Sequence, residues 1–225
     1  MARAMKDSGI EWIGEIPEDW ILTKTLYGLA MAITDGPHET PEFFDEGIPF
    51  ISAEAVSCGN GRIDFDHMRG LISEEYYIEC SKKYVPAIND IFMIKSGAST
   101  GRVAIVDTDK LFTIWSPLAV FRCNEERLFP KYLFYYLQSE GFQKQVEDAW
   151  TYGTQQNIGM RTLERLQVCY PNMLEQIEIA NHLDSEISRI DNLIDAKKSM
   201  AEKLREYRRS LISEAVTGKF KVPGV

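Results

Sequence analysis

The chain has 225 residues, 44% of them hydrophobic, which suits one large domain or one domain with an extension. Its formal net charge of −9 argues against a nucleic-acid-binding surface that covers the whole protein. Its four cysteines and three histidines are dispersed, so they show neither a zinc-ligand spacing nor a disulfide framework. The sequence shows neither a signal peptide nor an apolar run of the roughly 20 residues that span a bilayer. We therefore expect a cytoplasmic protein with reduced thiols, no bound metal and no membrane segment.

The negative charge is unevenly distributed. From Asn172 onward the chain has nine basic and nine acidic residues, so residues 1–171 carry the whole −9. Between Glu39 and Glu79 there are ten acidic residues and two arginines, whereas Lys82 to Arg102 contains four basic residues and one acidic residue. A DNA-binding role would therefore need a local basic surface, or a partner that neutralises most of the phosphates.

Short elements are predicted along the first 170 residues. The stretch "SGIEWIGEIPEDW" is typical of a turn or a lid-like strand packed on a domain. After it come apolar runs of four to seven residues bounded by Gly, Asn, Asp or Pro, which indicates β-rich structure. These runs are "IPFISAEAV", "KKYVPA", "DIFMIKS", "RVAIVD", "FTIWSPLAVFRC" and "LQVCYP". Residues 130–150 have helical spacing instead, with Pro130 in the first turn. The predicted fold class is α+β.

A single long helix is predicted from Met173 to Thr217. Asn172 and Glu175 match a capping box, and Gly218 stands where a helix-ending glycine belongs. The helix would be roughly 67 Å long at 1.5 Å per residue, whereas a domain of about 170 residues is near 35–40 Å across. It could pack along its own domain, but its length favours a partner chain.

The apolar seam of this helix alternates by four and three residues, as in a coiled coil. A flanking row formed by Leu193, Met200 and Tyr207 makes the apolar face wider than a two-stranded pairing needs. The predicted seam consists of Leu183, Ile187, Ile190, Ile194, Lys197, Ala201, Leu204, Arg208, Leu211 and Ala215.

No motif predicts catalysis. "KSGASTGR" (95–102) has three residues between its glycines and then an arginine, which is not the phosphate-binding loop of nucleotide hydrolases. It is either a simple hairpin loop or a turn that offers N–H groups and hydroxyls to a phosphate. "TDGPHETPEF" (34–43) contains Asp, His and Glu but shows no partner for acid–base chemistry. "TYGTQQNIG" (151–159) carries amides of the kind that can bind adenine. Neither a glycine-rich dinucleotide motif nor an Asn/Asp-Pro-Pro-aromatic motif is present.

Taken together, five stretches resemble the specificity subunit of Type I restriction-modification systems. They are "SGIEWIGEIPEDW", "TDGPHETPEF…GIPFISAEAV", "KSGASTGRVAIV", "GTQQNIGMRTLERLQVCYPNMLEQIEIANHL" and "LREYRRSLISEAVTGK". Such subunits usually contain two tandem halves, each a target recognition domain followed by a long spacer helix. This chain resembles one half. Asn89–Asp90 replaces the family's usual Gly-Asp.

The resemblance implies a domain organisation and a set of partners. Residues 1–171 would form the target recognition domain, 172–217 the spacer and dimerisation helix, and 218–225 a tail. The protein would be a non-catalytic subunit that binds double-stranded DNA and docks the methyltransferase (modification) subunit, with a restriction/translocase subunit in the full complex. S-adenosylmethionine and ATP would bind to those partners. It would read one half of a bipartite target, and the resemblance favours a homodimer through antiparallel C-terminal helices, with pairing to a different half-subunit still open. The alternative is a helical assembly scaffold, or a remnant specificity subunit, without its own DNA readout.

The resemblance also sorts the candidate DNA-binding residues. Stretches that make the family recognisable should be scaffold or phosphate contacts, because base readers change with each target. The scaffold or phosphate candidates are Lys82, Lys83, Lys95, Ser96, Ser99, Thr100, Arg102, Gln155, Gln156 and Asn157. Base readers are expected near 58–70, 107–114 and 138–152; the candidates are Arg62, His67, Arg69 and, less strongly, His38.

The charge distribution generates a first prediction. The isolated chain should bind duplex DNA weakly at physiological salt, with a shallow salt dependence, because residues 1–171 carry −9. Addition of the modification subunit should restore sequence-specific binding, measured by fluorescence anisotropy across a salt series. Nanomolar, sequence-specific binding by the chain alone would contradict the prediction.

Overall fold

The structure is a computed structural model in which residues 3–150 and 157–219 are described. The chain divides into two compact units, Met1–Ala180 and Asn181–Val225. Strands and five short helices form the first unit together with the start of a sixth, long helix. Among the described residues no helix combines the length and apolar composition needed to cross a bilayer.

The strands pair into one four-stranded sheet and three smaller sheets. The four-stranded sheet is antiparallel, in the order β4-β10-β7-β8. The others pair β1 with β2, β3 with β11, and β5 with both β6 and β9. The strands are β1 (Met5–Asp7), β2 (Glu15–Pro17), β3 (Ile21–Lys24), β4 (Thr34–Asp35), β5 (Ile48–Ile51), β6 (Gly70–Ile72), β7 (Ile91–Ile94), β8 (Val103–Ile105), β9 (Thr113–Ile114), β10 (Leu118–Phe121) and β11 (Gln167–Tyr170).

The helices are α1 (Ala53–Cys58), α2 (Glu74–Ser81), α3 (Pro130–Gln138), α4 (Glu140–Asp148), α5 (Met160–Leu163) and α6 (Met173–Val216). Short 3₁₀ turns occupy Thr25–Gly28 and Phe65–His67. This mixture of strands and helices, with a long C-terminal helix, confirms the α+β prediction.

The central pair of strands, β7 and β10, separates two hydrophobic cores. All eight residues of the pair are buried, and successive side chains point to opposite faces. Ile91, Met93 and Phe121 belong to the core that includes Leu133 and Phe142 from α3 and α4. On the other face, Phe92, Ile94, Leu118 and Val120 join a core that includes residues of α1 and Phe112. A strand buried on both faces needs apolar residues throughout, which explains the unbroken run "IFMI".

Several local predictions need correction. "KKYVPA" is not a strand, because Lys82 and Lys83 form the turn that follows α2. The second half of "IPFISAEAV" is helix α1. The single helix predicted over 130–150 is two helices, since Ser139 is extended (ψ 147°) and its hydroxyl accepts a bond from Phe142 N. Because an N-cap residue has a non-helical backbone conformation, Ser139 both ends α3 and caps α4.

A buried ionic network anchors the start of β7. Arg122 on the loop after β10 donates two hydrogen bonds to Asp90, at 2.7 and 2.6 Å, and Tyr84 and the Ala87 N–H also donate to this carboxylate. Asn89 adopts a left-handed conformation (φ 73°), which glycine adopts most easily and asparagine tolerates. The Asn89–Asp90 departure from the family pattern therefore leaves the strand intact.

Helix α6 has the predicted ends. Glu175 N donates to the Asn172 side chain at 3.2 Å, which is one half of the predicted capping box. At the other end Gly218 is left-handed (φ 74°), and Lys219 N donates to Glu214 O at 2.9 Å, as in a Schellman motif. Within the chain the seam is largely exposed; Ile190, for example, is 48% exposed and Ile194 44%.

The exposed seam generates the second prediction. Replacing Ile190 and Ile194 with Asp should abolish self-association or assembly with the methyltransferase subunit, since burying these charges costs on the order of several kcal/mol. Sedimentation equilibrium measures the mass. Glu186→Asp paired with Arg189→Lys, changes on the same helix that keep charge, is the control. Equal masses and equal partner binding for wild type and the Asp variant would show that the seam has no such role.

Candidate nucleic-acid interface

Polar loops meet at one edge of the four-stranded sheet. Because the strands are antiparallel, the end of β4, the end of β7 and the start of β10 lie at the same edge. Backbone bonds join the loops there: Ser116 N to Pro37 O (3.1 Å), Lys95 N to Pro117 O (2.8 Å) and Ile158 N to Lys95 O (2.9 Å). We call residues 35–38, 95–102, 115–117 and 157–159 the loop edge. It combines three of the stretches that were recognisable in the sequence.

The buried carboxylate of Asp35 is the electrostatic centre of the loop edge. The Asp35 side chain is 1% exposed, and Lys83 Nζ donates to its Oδ1 at 2.5 Å. His38 Nε2 and Lys95 Nζ lie 3.2 and 3.4 Å from Oδ2, contacts that lack hydrogen-bond geometry. Burial acts to raise the pKa of Asp35, but the Lys83 bond and the charges of both lysines outweigh it and leave the pKa lowered. Three of the predicted DNA-binding residues therefore surround one carboxylate.

The stretch 95–102 is a hairpin loop between β7 and β8. Gly97 and Gly101 are left-handed (φ 99° and 93°), and the Thr100 hydroxyl donates to Gly97 O at 2.7 Å. The N–H groups of Gly97, Ala98 and Ser99 have no hydrogen-bond acceptor among the described residues. The stretch is thus a hairpin loop, and it presents three consecutive N–H groups, without an acceptor among the described residues, of the kind that bind phosphate oxygens.

Helix α4 fixes the far side of this hairpin. Gln143 donates from Nε2 to Gly101 O at 2.9 Å and to Leu137 O at 2.6 Å. A side chain at Gly101 would collide with Gln143, since a Cβ there would lie 2.4 Å from its Oε1. The end of the Gln143 side chain is flexible and could move aside, so the glycine is needed chiefly for its left-handed backbone conformation.

Arg69 lies beside the loop edge through an aromatic contact. Its guanidinium is 5.2 Å from the centre of the Trp115 ring, and it faces Glu54 at 3.7 Å. The Ser52 hydroxyl donates to Glu54 at 2.6 Å; this bond, with the charge of Arg69, holds the pKa of Glu54 below its usual value. Stacking on an indole keeps an arginine extended and available for a further partner.

The other predicted residues lie elsewhere. Arg62 is exposed and pairs with Asp107 at 3.3 Å, and the His67 ring contacts Asp64 at 2.7 Å. Arg102, the last residue of the 95–102 loop, donates to Ser57 O at 3.0 Å and lines a polar cleft of about 450 Å³ together with Asn60 and Gln143. Lys82 pairs with Glu79 on α2.

The "TYGTQQNIG" stretch can be placed only in part. Gln155 and Gln156 lie outside the described residues. Asn157 forms an isolated bridge with Ser96, which attaches this stretch to the loop edge.

No group of three potential metal ligands occurs within residues 3–150 and 157–219.

Comparison with known proteins identifies the family. The family described as the Type I restriction modification DNA specificity domain matches residues 37–203, most of the chain. The chain belongs to this family. Its sequence is 25% identical over 214 residues to the Type I restriction enzyme MjaVIII specificity subunit of Methanocaldococcus jannaschii, covering 93% of this chain and 48% of that protein. To the EcoKI specificity subunit of Escherichia coli it is 21% identical over 212 residues, covering 92% and 44% respectively.

Solved structures share the fold. A chain of a type I R-M system superposes with a TM-score of 0.68 at 18% identity, over 94% of this chain and 48% of that chain. The HsdS subunit from Thermoanaerobacter tengcongensis gives 0.63 at 15% identity, over 93% and 51%. The chain thus spans about half the length of the specificity subunits it matches.

Two residues of the loop edge were not among the sequence candidates. Asp35 was visible in "TDGPHETPEF", but its lysine partners are 48 and 60 positions away, so their pairing could not be foreseen. Trp115 carried no sequence signal beyond an aromatic residue before "SP". This chain therefore contains an organised ionic cluster that sequence patterns alone did not show.

The Asp35 cluster generates the third prediction. Asp35→Asn should lower the free energy of unfolding at pH 7 by about 3 kcal/mol, because it leaves the mostly buried Lys95 ammonium without its counter-charge. The folded-state pKa of Asp35 is below its unfolded value, so its ionisation stabilises the fold above the unfolded pKa and that contribution is lost as pH falls through the folded pKa.

The difference between wild type and Asp35→Asn should therefore shrink as the pH is lowered below about 4. Urea unfolding at several pH values measures it. Asp107→Asn, which removes the exposed pair with Arg62, is the matched control and should change stability by less than about 1 kcal/mol. A difference that is independent of pH would exclude the ionic role of Asp35.

Proposed function

We propose that this chain is a specificity subunit with one target recognition domain, which reads one half of a bipartite DNA target. The observation that carries the proposal is the loop edge, in a chain that belongs to a DNA specificity domain family. There Lys83, Lys95 and His38 lie around Asp35, and in the hairpin loop that follows Lys95 the N–H groups of residues 97–99 have no acceptor among the described residues. In protein–DNA complexes such groups contact phosphates and fix the orientation of the protein on the duplex. The base sequence is read by other side chains, which contact the edges of the bases.

Arg69 is the favoured base reader among the four candidates. Its guanidinium lies on the Trp115 ring of the loop edge, whereas Arg62 and His67 contact Asp107 and Asp64, and a guanidinium can bind guanine through two hydrogen bonds. Arg62 and His67 are candidates for the flanks of the same surface. The protein itself would catalyse no reaction, with S-adenosylmethionine and ATP bound by partner subunits.

Helix α6 is proposed to pair with a second copy in antiparallel orientation. The row of residues next to the seam is acidic first and basic later: Asp184, Asp191, Lys198 and Arg205. An antiparallel copy brings the acidic half of each row opposite the basic half of the other, whereas a parallel copy would place like charges side by side. The apolar row of Leu193, Met200 and Tyr207 would then dock the methyltransferase subunit, and the restriction/translocase subunit would join the full complex.

The experiment is reconstitution with the modification subunit. The complex should methylate a two-part DNA site, and Arg69→Ala should relax the choice of base at one position by about 1–3 kcal/mol without changing the salt dependence. Lys131→Ala, a surface cation of α3, is the control. Assembly with no sequence preference in DNA would instead identify a helical scaffold, and no assembly would refute both functions.

Two-fold pairing generates the fourth prediction. Two copies related by a two-fold axis would read the same bases on opposite strands, so the target should be a palindrome with an unread spacer. Inserting one heptad after Ala201 keeps the seam phase and lengthens the helix by roughly 10 Å at 1.5 Å per residue. The preferred spacer should grow by about three base pairs at 3.4 Å each.

Methylation mapping of a randomised spacer library measures this change. A five-residue insertion at the same place shifts the seam out of phase and should abolish assembly, which makes it the control. An asymmetric two-part target, methylated with this chain as the sole specificity component, would rule out the homodimer.

A further inference from the structure

The N-terminal hairpin presents an acidic surface without counter-charges. Strands β1 and β2 and their turn carry four exposed carboxylates: Asp7, Glu11, Glu15 and Glu18. None of the four has a cation within 4 Å among the described residues. The hairpin's own cations are engaged elsewhere, because Lys6 donates to Glu18 O and Trp20 O and Arg3 binds Asp19.

This hairpin lies at the start of helix α6. Arg3 Nη2 donates a hydrogen bond of 2.9 Å to the carboxylate of Glu175, which lies in the first turn of the helix. The Arg3 guanidinium also lies 5.7 Å from the centre of the Trp20 ring. Strand β3 follows the hairpin directly and pairs with β11, which directly precedes the helix. The acidic surface and the beginning of α6 therefore belong to the same corner of the domain.

The seam of α6 passes under the domain at this corner. Extended towards the N-terminus with the same alternation of three and four, the stripe contains Ala180 and Gln176, both fully buried. Gln176 is fixed there, since it accepts from Phe129 N at 2.8 Å and donates to Arg127 O and Pro171 O. The N-terminal continuation of the seam is therefore already covered by the domain at these two positions.

The C-terminal end of α6 has complementary chemistry. Arg205, Arg208, Arg209 and Lys219 are exposed and lack a carboxylate partner within the part of the chain that the structure describes. Two exposed apolar residues, Ile212 and Val216, lie in the same segment, and Val216 is 78% exposed. The domain corner offers its own exposed apolar residues, Ile21 and Leu174, the latter 75% exposed. Residues 205–219 contain these four basic residues and two acidic ones, Glu206 and Glu214, so the segment has a net positive charge that is opposite to that of the hairpin, and both ends of the chain expose apolar residues.

We propose that the acidic hairpin is a docking site for residues 205–219 of a second copy of this chain. This inference rests on the antiparallel homodimer proposed above, in which each helix ends at the start of the other. Two-fold symmetry then produces two identical contacts per dimer. The contact would orient each recognition domain relative to the partner's helix, which a helix seam alone does not do.

The test reverses the charge of each side separately in the full-length chain. The hairpin variant carries Glu11→Lys, Glu15→Lys and Glu18→Lys, and the helix variant carries Arg209→Glu and Lys219→Glu, which leave the seam residues unchanged. In either homodimer both contacts become like-charged, so the dissociation constant from sedimentation at low salt should rise by about tenfold or more. The rise should diminish as salt is added, because the charges are exposed.

Mixing the two variants supplies the decisive measurement. In the mixed dimer the basic hairpin faces the acidic helix end, and the acidic hairpin of the other chain faces a basic helix end. Both contacts are again complementary, so the mixture should form heterodimers with nearly wild-type affinity. Recovery in the mixture also shows that each variant is folded.

A control variant carries Glu42→Lys, Asp45→Lys and Glu46→Lys, the same charge change on an exposed loop beside β5. It should dimerise like wild type and should not rescue the helix variant. If wild type dimerises but the hairpin and helix variants do so equally well, or if mixing restores nothing, the docking site is refuted while the homodimer stands. If wild type is monomeric, the proposed homodimer fails, and the docking site fails with it.

Discussion

The pairing of β7 with β10 is the constraint on which the rest of the recognition domain depends. Every residue of these two strands is buried, and alternate side chains fill two separate cores. Their register determines where the chain leaves the sheet: after Ile94 into the hairpin loop, and before Leu118 into the Trp115 loop. A slip of one residue would exchange the two cores and would also displace Lys95 from Asp35, so fold and site have the same origin.

The loop edge gathers positive side chains in a domain whose composition is acidic. A cluster of lysines in a protein of net charge −9 would usually be neutralised by neighbouring carboxylates on the surface. Here the principal neutralising carboxylate, Asp35, lies beneath the cations and is 1% exposed, while Lys83 and His38 stay half or more exposed. Two lysines share this one carboxylate, so the cluster itself has a net positive charge, which suits a local phosphate contact in an otherwise acidic protein.

Sequence patterns predicted those features that depend on neighbouring residues. The ends of α6 follow from Asn172 and Gly218, the β7 and β10 strands from continuous apolar runs, and the turn at 95–102 from its glycines. Helices α1 and α2 were missed because each is too short for a periodic pattern to stand out, and Ser139 was missed as a boundary because a cap and a helix interior share many residue types. The Asp35 cluster joins residues separated by up to 60 positions, and only the three-dimensional pairing of strands brings them together.

Helix α6 uses one stripe of side chains for two different purposes. In the first two turns of the helix the stripe consists of Gln176 and Ala180, which are buried against the rest of the first unit. The Gln176 side chain accepts one hydrogen bond through its oxygen and donates two through its nitrogen. From Leu183 onward the same stripe becomes mainly aliphatic and exposed, as a surface for another helix requires. The change from buried to exposed positions falls between Ala180 and Leu183, where the chain divides into its two compact units. Each part of the stripe therefore has the side chains that its surroundings require: a bonded amide and a methyl group inside the first unit, and aliphatic side chains that only another surface could cover in the second.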